Sequence, residues 1–99
     1  TAEYDQGIAK RSLETYHDFI SLHPTDPRIE EARLKMENLR TEQARGAIEV
    51  AKFYEKRKQW NGALIYYNEV LVKAPNSVFA EKAKRKIEEI KGRLPGASE

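Results

Sequence analysis

Displaced by 51 residues, the sequence falls on itself in register without a gap. Tyr16 lands on Tyr67, Phe19 on Val70, Ile20 on Leu71 and Pro24 on Pro75. Further along, Glu30 lands on Glu81, Ala32 on Ala83, Met36 on Ile87 and Leu39 on Ile90, and upstream Leu13 lands on Leu64. The repeated unit reads as a helix, a proline-marked turn and a second helix. A unit of this kind cannot bury its apolar face alone, so it folds by stacking on its neighbours. Val, Ile and Thr nowhere alternate with period two, so no strand is predicted.

The pattern predicts about four helices, in antiparallel hairpins around one long central helix, within a single all-α domain over 1–99. The first runs from about Asp5 to Leu22, with Ile8, Ala9, Leu13, Tyr16, Phe19 and Ile20 at helical spacing. His23-Pro24 ends it, because a residue before proline avoids the helical region. Asp26 is the expected N-cap of the next helix, with Pro27 in its first position and Glu30 and Glu31 near the positive end of its dipole. From there Ile29, Ala32, Met36, Leu39, Gln43, Gly46, Val50 and Phe53 recur in steps of three and four. That rhythm predicts one helix from Pro27 to about Arg57, roughly 45 Å long at 1.5 Å per residue. Gly46 is its weak point, at about 1 kcal/mol relative to Ala, and a kink there is the alternative. A turn at Lys58–Gln59 leads to a third helix over Trp60–Lys73. Pro75-Asn76-Ser77 repeats the turn, with Ser77 or Asn76 as cap, and a fourth helix covers Val78 to about Lys91. Gly92, Pro95 and Gly96 end it, and 92–99 reads as a frayed tail.

Composition narrows the function. With 18 Lys plus Arg against 16 Asp plus Glu, the net charge of +2 is too small to make nucleic acid or an anionic membrane the main partner. The basic residues gather in two groups, one from Lys52 to Lys58 and one from Lys82 to Arg93, and such groups ordinarily form a solvated helix face. A helical repeat that binds nucleic acid through them is the rival reading, and the lack of stacking aromatics beside them counts against it. With no cysteine there is no disulfide, thiol nucleophile or Cys-based metal site. No stretch approaches the roughly 18 apolar residues of a membrane span, and no signal peptide is visible. The chain begins at Thr1 rather than Met, which suggests a fragment of a longer chain.

Two patterns point to a family. Between Ala47 and Pro75, the residues Val50, Ala51 and Tyr54 on one helix and Trp60, Ala63, Tyr67 and Pro75 on the next resemble the tetratricopeptide repeat. Ala51 and Ala63 let the helices approach, Tyr67 fills the space between them, and Pro75 stops the second. Ala47 stands where that repeat has a bulky residue, and Ala51 where it has glycine. Over a longer stretch, "RSLETYHDFISLHPTDPRIEEARLKMENLR" and "AKFYEKRKQWNGALIYYNEVLVKAPNSVFAEKA" resemble the carboxy-terminal half of BamD-like lipoproteins. The resemblance implies a tetratricopeptide scaffold of the outer-membrane β-barrel assembly machinery, on the periplasmic face of the outer membrane. It implies docking onto the POTRA domains of the barrel-forming subunit, and attachment to the membrane through an amino-terminal lipidated Cys that this sequence lacks. Some relatives carry a basic residue where Tyr66 stands, on the face used for that subunit. An unrelated tetratricopeptide adaptor is the alternative.

No catalytic, cofactor or metal site is predicted. His17 and His23 are six apart on one helix and do not share a face. The neighbours Glu30–Glu31 and Glu88–Glu89 point about 100° apart and cannot flank a substrate. No nucleophile triad or phosphate loop is present, so the chain does not read as an enzyme. The third helix carries the binding candidates. Trp60, Ala63, Leu64, Tyr67, Val70, Leu71 and Ala74 form the stripe expected to face the long helix. Ile65 and Val72 lie on another face with Asn61 and Asn68, where the first helix has Glu14, Ser21, Lys10 and His17. Either the fourth helix or a further repeat covers Ile65 and Val72, or a partner protein does. On the opposite flank Gln59, Tyr66 and Lys73 align as a second exposed strip, and tyrosine is common in interface cores.

Overall fold

The computed structural model describes the backbone of residues 2–94 and the side chains of residues 7–94. Four helices follow one another: α1 (Ala2–Leu22), α2 (Ile29–Lys56), α3 (Trp60–Lys73) and α4 (Val78–Arg93). No strand occurs among the described residues. The fold is all-α, built from antiparallel hairpins of tetratricopeptide type around the long α2, and extends over 53 × 28 × 19 Å.

The predicted elements form, with local shifts at their ends. The α1 backbone is helical from Ala2 rather than Asp5. Before α2, the Asp26 carboxylate accepts a hydrogen bond from the Arg28 backbone N–H at 2.8 Å, and the Asp26 carbonyl accepts one from Ile29 N–H at 3.1 Å. Asp26 therefore caps a tight turn through Pro27 and Arg28, and α2 begins at Ile29, two residues later than expected. Ser77 occupies the N-cap position of α4, but its hydroxyl donates back to the Ala74 carbonyl at 2.7 Å and caps no helical amide. Gly92 does not end α4, which continues through Arg93. The expected fraying over 95–99 lies outside the described residues.

α2 runs unbroken through Gly46, as the three-four rhythm requires. Its buried face is not the one that rhythm implied. The amino-terminal half buries Ile29, Ala32, Met36 and Gln43, but beyond Gln43 burial moves to Ala44, Ala47, Ile48 and Ala51. Leu39 and Val50 are half-buried, and Phe53 is 50% exposed. The cause is a change of neighbour. α3 and α4 pack against the face that carries Ala44, Ala47, Ile48 and Ala51, and among the described residues α1 packs on α2 alone.

The fully enclosed core belongs to the second half. Ala44, Ala47, Ile48 and Ala51 of α2 meet Ala63, Tyr67 and Val70 of α3 and Ala83 and Ile90 of α4. Alanine dominates because small side chains let helix axes approach within about 8–10 Å. The predicted α3 stripe is the observed one, with Trp60, Leu64 and Leu71 completing it from the edge. Among the described residues α1 touches no helix but α2, and among its described side chains Ala9 alone is buried.

Candidate functional site

Because α1 and α3 lie on the same side of α2 without touching, they leave a groove of about 1140 Å³ floored by α2. Leu13, Glu14 and Lys10 form the α1 wall, and Ile65, Tyr66, Glu69, Val72 and Lys73 form the α3 wall. The floor is Arg40, Gln43, Gly46, Ala47, Glu49, Val50, Phe53 and Tyr54. The apolar residues that the α2 rhythm assigned to the core, Val50 and Phe53, thus line an open surface.

Four of the six candidate binding residues meet here. Ile65 and Val72 are 62% and 64% exposed and point into the groove, uncovered by α4. Tyr66 and Lys73, placed by the helical pattern on a separate strip, line the same groove from the other edge of α3. Asn61 and Asn68 do not join them. Asn61 borders a small apolar recess with Tyr54, Gln59, Trp60 and Gly62, and Asn68 is exposed away from the groove.

One end of the groove is aromatic. Tyr66 stacks on Tyr54, with centroids 5.7 Å apart and planes at 16°. Phe53 meets Tyr54 edge-on at 5.5 Å, and the Arg57 guanidinium lies 4.0 Å from the Phe53 ring centre. Offset or edge-on pairs of this kind add about 0.5–1.5 kcal/mol each to area burial. Gly62 makes the arrangement possible, since a β-carbon there would stand 2.9 Å from the Tyr54 ring. Sequence reasoning missed Phe53, Tyr54 and Gly62 as parts of the site. The available signal was the second stripe of α2, Ala44–Ala47–Ile48–Ala51, which leaves Val50 and Phe53 on a different face.

The other end carries charge. Arg40 and Lys73 border both this groove and an adjoining hollow beside the α3–α4 turn. No ion pair among the described residues engages either of them, whereas Arg33, Lys35, Arg45 and Lys52 on α2 pair with Glu30, Glu31, Glu42 and Glu49. Elsewhere Lys84 pairs with Glu81 on a solvated face, as expected of these groups, whereas Lys86 is half-buried and reaches Glu89 and Glu55. The fold does bring Lys52 and Lys82 together, and the Lys52 ammonium lowers the Lys82 pKa.

Beneath the groove, the Tyr67 hydroxyl donates to the Glu55 carboxylate at 2.6 Å, and Lys86 reaches the other Glu55 oxygen at 3.3 Å. Burial works to raise the Glu55 pKa, but the bonds from Tyr67 and Lys86 and the nearby positive charges win, and it lies below the ordinary carboxylate value. Burial and the Glu55 carboxylate both push the Tyr67 phenol up. This group fixes α4 to the α2–α3 hairpin and does not open into the groove.

Fold and site together define a helical-repeat module with an open, largely apolar groove; no cluster of three or more potential metal ligands occurs among its described residues, and no helix is long and apolar enough to cross a membrane. The family model for outer membrane lipoprotein YfiO matches residues 1–74. The chain belongs to this BamD-like family of outer membrane lipoproteins. No curated protein and no solved structure matches it.

Proposed function

We propose that the chain is a protein-docking module of the outer-membrane β-barrel assembly machinery, equivalent to the carboxy-terminal part of a BamD-like lipoprotein. It acts by binding rather than by catalysis, on the periplasmic face of the outer membrane. The groove between α1 and α3 receives a segment of the POTRA domains of the barrel-forming subunit. The observation that carries this reading is the exposure of Ile65 and Val72 on the groove wall. The first repeat has Glu14 and Ser21 at the same two positions, so the helical hairpin does not require apolar groups there. The two sit two turns apart, about 10 Å along the axis, a length suited to one helix or loop of a partner. Covering each side chain is worth roughly 1.5–3 kcal/mol.

The test is the double variant Ile65→Ser, Val72→Ser, titrated with isolated POTRA domains in a calorimeter. Binding is expected to weaken at least about tenfold, the equivalent of about 1.4 kcal/mol, with the circular dichroism of the free chain unchanged. Equal affinity in parent and variant would remove the groove from the interface. Unfolding of the free variant would make the strip part of the core.

A further inference from the structure

We propose that the basic hollow at the charged end of the groove is a carboxylate subsite, entered by acidic side chains of the same segment whose apolar side chains fill the groove. This deepens the docking reading and rests on it. The hollow, of about 690 Å³, is bordered by α1 at His17 and Ile20, by α2 between Arg33 and Thr41, and by the α3–α4 turn. It is continuous with the groove, because Arg40 and Lys73 border both. Its charge is one-sided. Arg33, Arg40 and Lys73 line it against one carboxylate, Glu37, and Asn76 adds an amide donor.

Two of these cations are left over by the helices that carry them. On α2, Arg33, Lys35, Arg45 and Lys52 each pair with the acid three or four residues earlier. Arg40 has Glu37 three residues earlier, and Lys73 on α3 has Glu69 four residues earlier. Neither of those pairs closes among the described residues. Water solvates the two charges while the surface is open, and their attraction for an anion grows as a docked segment displaces that water. Arginine takes a carboxylate through two parallel N–H bonds, and lysine takes it as a point charge. Because Arg40 and Lys73 stand on different helices, an acidic side chain there is tied to α2 and α3 at once. The opposite end of the groove offers no such site, since Arg57 there lies over the Phe53 ring. The segment that fits is therefore apolar towards Phe53 and Tyr66 and acidic towards Arg40, and it docks in one direction.

The test starts with two-dimensional NMR of the full chain, titrated with a capped tetraglutamate peptide and with tetraglutamine as control. Saturable shifts at Arg40, Thr41, Lys73 and Asn76 are expected with glutamate and not with glutamine. Arg40→Gln with Lys73→Gln should abolish them. Lys52→Gln with Lys82→Gln, a basic pair outside the hollow, should leave them. Both double variants are then titrated with isolated POTRA domains. The first is expected to lose at least about tenfold in affinity at low salt, with the difference shrinking as salt is raised, and the second to keep the parent affinity. Circular dichroism checks the fold, and the single changes Arg40→Gln and Lys73→Gln replace the double one if it does not fold. Shifts that do not saturate, or that are equally large around Lys52 and Lys82, mean diffuse attraction and overturn the proposal. Parent-like POTRA affinity in the Arg40, Lys73 variant also overturns it, while leaving the groove as the docking site. If the parent itself does not bind POTRA domains, the docking reading fails, and the tetraglutamate titration alone decides the hollow.

Discussion

Tyr67 is at once the largest fully buried side chain and a donor to a charged group. The two contributions are separable by substitution. Tyr67→Phe keeps the ring among Ala51, Ala63 and Val70 and removes the bond to Glu55; hydrogen bonds to charged groups are worth about 1.5–3 kcal/mol. Tyr67→Ala removes the ring as well, for about 3–5 kcal/mol. A pH effect accompanies the phenylalanine variant. The Glu55 pKa lies below its ordinary value of 4.5, so its stabilisation is fully present above that value and is lost as the pH falls through the lower folded-state value. Without the phenol donor the folded pKa moves up, and Tyr67→Phe should begin to lose helical ellipticity at a higher pH than the parent. Identical acid transitions, followed by circular dichroism, would mean that Lys86 alone holds Glu55 ionised.

At the scale of elements, the turn between α2 and α3 carries the clearest strain. Lys58 sits at φ 59°, a left-handed conformation that costs an L-residue about 1–2 kcal/mol relative to the right-handed one. The turn requires it: Lys58 N–H reaches the Glu55 carbonyl at 2.9 Å and Gln59 N–H reaches the Tyr54 carbonyl at 2.9 Å, a Schellman ending in which glycine is the usual residue. Lys58→Gly should therefore raise stability by up to about 1 kcal/mol, read as a higher urea midpoint at unchanged slope. A lower midpoint would show that the lysine side chain holds the turn. The position of this turn was legible from the sequence, and its geometry was not, because lysine gives no sign of a left-handed backbone. Helix positions were legible for a related reason: Pro24, Pro75 and the three-four spacing act locally. Which face of α2 is buried was not, because that depends on where its neighbours lie. The stripe through Val50 and Phe53 and the stripe through Ala44 and Ile48 both have helical spacing, and only packing selects the second. The same limit split the candidate site, putting Tyr66 and Lys73 on a strip apart from Ile65 and Val72 until the α1 wall closed the groove around all four.

At the scale of the molecule, packing is unequal along its length. α3 is held by α2 on one side and α4 on the other, whereas α1 has α2 alone. Leu13, Tyr16, Phe19 and Ile20 are half-buried, and Ile8 is 39% exposed. Apolar burial supplies most of the free energy that holds a helix in place, so α1 should open at lower free energy than α3. Proteins open in contiguous units whose opening energies follow local packing. Native-state hydrogen exchange resolved by residue should give α1 amides a lower opening free energy than those of α3 between Ala63 and Val70. Leu13→Ala, which removes a half-buried α1 contact, should lower the α1 values further and leave those of α3 unchanged. If α1 and α3 instead exchange at one common free energy, and Leu13→Ala lowers both together, the four helices form a single cooperative unit and α2 transmits stability across its whole length.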